Sequence, residues 1–146
     1  MQPEAVFDGN FKTPKKSLVF LHTGWCNSCR VMERAVFTDT VLTKVLEKFT
    51  LIDFNPENTK PLYWNNKLYQ KLPDDKFPFH PLTLEFTKNN FILPTVTLLD
   101  EQGVLIDAIP FFVTATVLAD ILTFYGDDIY KKKSWADFQK EKSKEK

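Results

Sequence analysis

The sequence contains two cysteines, and both lie in one short run, Trp25-Cys26-Asn27-Ser28-Cys29-Arg30. The loop that a disulfide would close here is too short to lower the unfolded-state entropy much, and a disulfide framework would spread several pairs along the chain. The spacing therefore suggests chemistry more than stapling. A thiolate at Cys26 can attack a disulfide, and Cys29, one turn further on, can attack the resulting mixed disulfide and release the reduced partner. At a helix N-terminus the free N–H groups and the axial dipole favour the thiolate, so Cys26 is expected to have a lowered pKa. Trp25 offers a flat apolar surface beside that sulfur.

Other uses of the pair need more than the chain supplies. Zinc held by Cys-x-x-Cys requires two further N or S ligands, and only His22 and His80 are present, at irregular spacing. No metal is expected. Covalent haem would need a histidine directly after Cys29, where Arg30 stands. An inert structural disulfide is the remaining alternative, but a strand before the pair and a helix after it favour the redox reading. For both His22 and His80 a satisfied structural imidazole is the plainer reading; His22 lies close to the pair.

The elements around the pair alternate. Lys16 to Leu21 reads as a buried strand that His22-Thr23-Gly24 breaks just before the cysteines. Val31, Met32, Ala35 and Val36 then recur at helical spacing, which puts the pair at a strand-to-helix turn. Thr38-Asp39 can cap a second helix with Val41, Leu42, Val45, Leu46 and Phe49 on its apolar face, and Thr50 to Phe54 reads as the next strand. Prolines at 56, 61, 73 and 78 interrupt the rhythm over residues 56–80. Within that stretch Leu62-Tyr63-Trp64 and Lys67-Leu68-Tyr69 flank Asn65-Asn66, which predicts a β-hairpin insertion outside the central sheet. Its rings either contribute to partner choice or cover a sheet edge.

Pro81 can open a helix running to about Asn89 on Leu82, Leu84 and Phe86. Leu93 to Leu99 and Val104 to Ile109 predict antiparallel strands joined at Asp100-Glu101-Gln102-Gly103. A last helix should start near Thr114 to Thr116, bury Val117, Leu118, Ile121, Leu122 and Phe124, and stop at Gly126. Residues 131–146 then form a charged C-terminal extension to a domain spanning 1–130, with seven lysines against Asp137, Glu141 and Glu145. Trp135 and Phe138, three apart on a short helix, can pack back on the body.

A chain of 146 residues that is 43% hydrophobic and 26% charged fits one globular domain. Its formal net charge of zero lacks the basic excess that nucleic-acid binding uses. Apolar runs such as Ile109 to Val113 are far shorter than a membrane span. Met1 to Asn10 lacks the charged start and apolar stretch of a secretory signal, so a signal is expected to have been removed or never to have existed.

Gly24 to Arg30 after an apolar strand, together with Leu93-Pro94-Thr95-Val96 and Gly103 in a strand hairpin, resembles the thioredoxin fold over about residues 16–125. Val36-Phe37-Thr38-Asp39, Trp64-Asn65-Asn66-Lys67, Tyr125-Gly126-Asp127-Asp128 and the run Lys133 to Gln139 are similar to bacterial thioredoxin-related proteins, especially those of the Bacteroidetes. Those proteins resemble the C-terminal domain of the DsbD-type interchange protein and SoxW-like thioredoxins. The resemblance implies an α/β fold with a central mixed sheet flanked by helices, a hairpin insertion at about 56–80 and a C-terminal helical extension. It implies a thiol–disulfide oxidoreductase with Cys26 and Cys29 catalytic, substrate contacts at Trp25, Leu93 and Pro94, and a cis bond before Pro94. It implies no cofactor beyond the redox-active disulfide Cys26–Cys29.

Implied partners are protein thiols and disulfides, with a membrane-bound reductase as electron source; the chain is expected to be a monomer. The implied location is periplasmic or otherwise exported, with the signal peptide not present in this chain; cytoplasmic is the alternative. Two departures from the family pattern stand out. Phe20 occupies the position, six before the first cysteine, where thioredoxins bury an acid that helps move a proton from the second thiol. Asn27-Ser28 replaces Gly-Pro between the cysteines, so the redox potential is not inherited. His22 and Glu33 are the candidate proton acceptors in place of the missing acid. The alternative function is a thioredoxin-fold binding module with little redox turnover, in which hairpin and tail hold a partner.

Overall fold

The computed structural model describes residues 1–144. Pro3 begins a short helix, α1 (Pro3–Val6), where a missing N–H leaves nothing unsatisfied, and the helix directs Val6 and Phe7 into the core. Strand β1 (Lys16–Leu21) is buried along its whole length. After the turn that carries the cysteines, α2 (Asn27–Val31) runs directly into a π-helical turn, Met32–Val36, closed by Phe37 N–H donating to the Met32 carbonyl. The Asp39 carboxylate accepts from the Val41 and Leu42 amides and caps α3 (Thr40–Leu46). Strand β2 (Phe49–Phe54) starts one residue before the sequence reading places it, so Phe49 belongs to β2 and not to the face of α3.

The insertion folds as β3 (Leu62–Trp64) and β4 (Lys67–Tyr69), a two-stranded sheet of its own, with Tyr63 also bridged to Asp8 and donating its N–H to the Phe7 carbonyl at 2.8 Å. Asn65 and Asn66 take φ 54° and 62°, the left-handed pair that a two-residue hairpin turn needs. Helix α4 (Leu82–Phe86) is shorter than its apolar spacing suggests, because Lys88 and Asn89 turn left-handed at φ 54° and 63°. Strands β5 (Thr95–Leu99) and β6 (Leu105–Pro110) follow, and then α5 (Ala115–Gly126), capped by the Thr114 hydroxyl. Leu118, Leu122 and Phe124 of α5 are buried; Val117 is exposed. Helix α6 (Trp135–Lys144) lays Trp135 and Phe138 on Phe124, with ring centroids 5.2 and 5.3 Å away. Residues 145 and 146 of the charged extension lie outside the described residues.

The central sheet has the order β2-β1-β5-β6, with β1 parallel to β2 and antiparallel to β5, and β5 antiparallel to β6. It is the mixed sheet that the sequence implies. Alternation along β1 sends Leu18 and Phe20 to one face, where they meet Met32, Leu42 and Leu118 from the helices. Val19 and Leu21 go to the other face and meet Phe54, Leu62, Leu82 and Phe86 under the hairpin and α4. Each fully buried Leu or Phe contributes on the order of 1.5–3 kcal/mol.

The foot of the sheet, away from the cysteines, is closed by specific contacts. Trp64 Nε1–H donates to the Gly103 carbonyl at 2.8 Å, and the Phe11 ring lies 3.0 Å from where a Cβ on Gly103 would stand. The buried Lys16 ammonium reaches Asp128 at 2.9 Å and Glu101 at 3.3 Å. Burial works against that charge, but the two carboxylates outweigh it and hold the Lys16 pKa above its ordinary value. Tyr125 O–H donates to Asp107 at 2.6 Å and ties α5 to β6; burial and that carboxylate push its pKa up.

Candidate active site

Strand β1 delivers the chain to the site. His22 N–H donates to the Phe54 carbonyl at 3.1 Å, continuing the ladder to β2 for one more residue before the turn. Arg30 reaches back from α2 and donates from Nε, at 3.0 Å, and from its terminal nitrogen to the Gly24 carbonyl, which fastens the turn. Cys26 is the N-cap of α2, and its sulfur accepts the Cys29 N–H at 3.2 Å. A sulfur in that position is placed to be held as a thiolate, since a donor is already aimed at it. Cys26 and Cys29 are joined in a disulfide. Cys26 is 8% exposed and Cys29 0%, so Cys26 is the more accessible of the two residues.

The loop before β5 lies alongside. Leu21, at the end of β1, pairs with Thr95, and the bond between Leu93 and Pro94 is cis. Leu93 packs on the same cluster as the two cysteines. Trp25 stands 56% exposed beside Cys26. The structure thus brings Trp25, Cys26, Cys29, Leu93 and Pro94 to one end of the sheet.

His22 and Glu33 also come together, with Nδ1 of the ring 2.8 Å from the Glu33 carboxylate. Asp53, which sequence reasoning missed, faces the other ring nitrogen at 3.2 Å. Its signal was an acid in the otherwise apolar end of a strand, opposite Phe20 in the parallel register. The ring also stacks on Phe20 at 4.6 Å, and Phe20 itself fills the cluster that holds both cysteines. His80 is elsewhere and fully satisfied: Nε2 donates to the Lys60 carbonyl at 2.9 Å and Nδ1 accepts the Leu82 N–H at 3.2 Å. Burial depresses its pKa, as expected for a neutral core imidazole.

A second set of residues was missed. Phe79 lies 6.3 Å from Trp25 and stacks on Phe91 at 4.9 Å, while Phe111 and Phe112 emerge from the end of β6. Fourteen phenylalanines in the chain, several outside any periodic element, were the available hint.

No protein-family model and no curated protein matches the sequence. Among solved structures, a thioredoxin-fold protein from Helicobacter pylori aligns over 94% of this chain and 88% of that chain, with 21% identity and a TM-score of 0.65. The chain has the thioredoxin fold. A thioredoxin from Thermus thermophilus aligns over 74% of this chain and 71% of that chain, with 14% identity and a TM-score of 0.50. The C-terminal domain of Neisseria meningitidis DsbD in its reduced form is similar over 74% of this chain and 78% of that chain, with 18% identity and a TM-score of 0.44. On the thioredoxin fold of this chain, the cysteine pair occupies the turn between β1 and α2 and the cis proline precedes β5.

Proposed function

We propose that the protein is a thiol–disulfide oxidoreductase that reduces protein disulfides. The observation that carries this reading is the Cys26–Cys29 disulfide at the start of α2, with the sulfur of the more accessible residue, Cys26, already receiving the Cys29 N–H. In the reduced form the Cys26 thiolate attacks one sulfur of a substrate disulfide. A Cys26–substrate disulfide forms, the substrate S–S bond breaks, and one substrate thiolate leaves and takes a proton from water. Cys29 then gives up its proton and attacks the Cys26 sulfur, which releases the second substrate thiolate. Two electrons pass to the substrate, which becomes a dithiol, and the protein is left as the disulfide. An external dithiol donor must return two electrons for the next turnover.

The buried Cys29 thiol needs somewhere to send its proton, because burial disfavours the thiolate. In this reading that role falls to His22 and Glu33; their contact with each other supports treating them as one unit, with Asp53 as a second carboxylate on the ring. Trp25, Leu93 and Pro94 form the substrate-contacting surface. Residues 1–130 are the working domain and 131–146 an extension to it. An exported location, a membrane-bound reductase as donor and a monomeric state rest on the motif resemblance described above.

Reduction of insulin by the purified protein with dithiothreitol tests the reading; no acceleration over dithiothreitol alone would remove it in favour of a binding module. Cys29→Ser should accumulate mixed disulfides at Cys26. Brief alkylation of the reduced protein at mildly acidic pH should label Cys26 before Cys29. His22→Gln should alter the pH profile of mixed-disulfide resolution, and an unchanged profile takes His22 out of the proton path.

A further inference from the structure

Phe111 directly follows the last residue of β6 and takes φ 69°, a left-handed conformation that a bulky side chain rarely adopts and that asparagine or glycine enters more freely. Burial does not explain it, since the residue is 61% exposed. Strain of this kind persists where the surroundings hold it, and it clusters at ligand clamps. Pro110 pairs with Thr95, so Phe111 leaves the sheet next to the Leu93–Pro94 loop. On the other side of that loop Trp25 meets Phe79, which stacks on Phe91 two residues before Leu93. Two aromatic faces from distant parts of the chain therefore flank the loop beside the cysteine pair.

Charge narrows the occupant. Residues 91–99 and 108–119 contain no Asp, Glu, Lys or Arg, and the guanidinium of Arg30 is taken up by the Gly24 carbonyl. A small charged disulfide finds no ion pair on these two segments, whereas an extended apolar polypeptide finds rings for its side chains and the Leu93 backbone for its own.

We propose that Phe111 is a specificity-determining residue which, with the Trp25–Phe79 face, receives a bulky apolar side chain flanking the cysteine of an extended polypeptide substrate. This rests on the redox reading above and adds which polypeptides are preferred. Covering one such side chain is worth about tenfold in kcat/KM.

The experiment compares kcat/KM for two disulfide-linked model peptides, one with leucine and one with serine beside the cysteine, in the wild type, Phe111→Asn and Phe111→Tyr. Asparagine keeps the left-handed backbone and removes the ring. The wild type and Phe111→Tyr should prefer the leucine peptide about tenfold, and Phe111→Asn should cut the preference to about threefold or less. Equal rates for both peptides in the wild type, an unchanged preference in Phe111→Asn, or faster reduction of oxidised glutathione than of the leucine peptide would overturn the proposal. A leucine peptide with serine in place of its cysteine separates the two readings, because it can bind but not react. Chemical-shift changes at Trp25, Phe79 and Phe111 on its addition support the clamp even if no disulfide is reduced, in which case the redox reading alone fails. Changes confined to other residues sink the clamp.

Discussion

Trp64 and Trp25 each lie beside a turn, at opposite ends of the central sheet, and their surroundings differ in kind. At the foot, Trp64 donates its indole N–H to Gly103, packs against Phe86, and belongs to a hairpin whose Leu62 and Tyr69 are buried. At the cysteine end, Trp25 is mostly exposed and Phe111 stands in solvent on a left-handed backbone. Similar rings thus stabilise the fold at one end and remain available at the other. The hairpin, with its aromatic residues, is the more conspicuous surface in the sequence; Leu62 and Tyr69 cover the sheet while Tyr63 and Leu68 face outward. At the cysteine end the exposed rings, Trp25 and Phe111, come from segments with no periodicity.

The contrast can be broken most forcefully at the hairpin root. Leu62→Ala should lower stability by about 2–5 kcal/mol in urea unfolding, because the side chain is wholly buried in the cluster under α4. A loss below about 1 kcal/mol would make the hairpin an appendage and undo the comparison. Gly103→Ala should cost about 1–2 kcal/mol in the same measurement, since φ +83° disfavours a side chain and Phe11 occupies the space.

A smaller loss is expected on acidification. His80 is neutral in the fold and its pKa is depressed below the ordinary 6.5. Its contribution is therefore complete above about pH 6.5 and fades as pH falls through that value towards the lower folded pKa, because the unfolded chain takes up the proton first. Thermal unfolding of the wild type and His80→Gln between pH 7.5 and 5 would show this as a weaker acid dependence in the variant. The smallest effect belongs to Trp25→Ser, which should shift stability by less than about 0.5 kcal/mol while slowing insulin reduction. A large loss of stability would mean that Trp25 is part of the core after all.

Much of the architecture was legible because periodicity reports burial. Lys16 to Leu21 reads as a strand buried on both faces and is one, and Asn65-Asn66 announces its hairpin through turn chemistry. Helix α4 was read too long because the apolar spacing continues past the point where Lys88 and Asn89 turn left-handed. Of the candidate site, Cys26, Cys29 and Pro94 were visible as local motifs. Asp53 was not, since its meeting with His22 depends on the register between two strands. Phe79 and Phe111 were equally hidden: nothing local distinguishes a phenylalanine beside the site from one in the core.

The Lys16 cluster bears on how long the protein stays folded. Lys16 opens β1, Glu101 sits in the turn after β5, and Asp128 follows α5 with φ 58°, so three distant segments must be assembled before the ammonium has partners. Contacts that need three such segments in place are expected to form late, after most of the loop-closure entropy has been lost. Weakening them with Asp128→Asn should leave the refolding rate nearly unchanged and speed unfolding, a difference carried by one arm of a denaturant chevron. That outcome would make the cluster a latch on the native state, one that slows departure from the fold without hastening its formation.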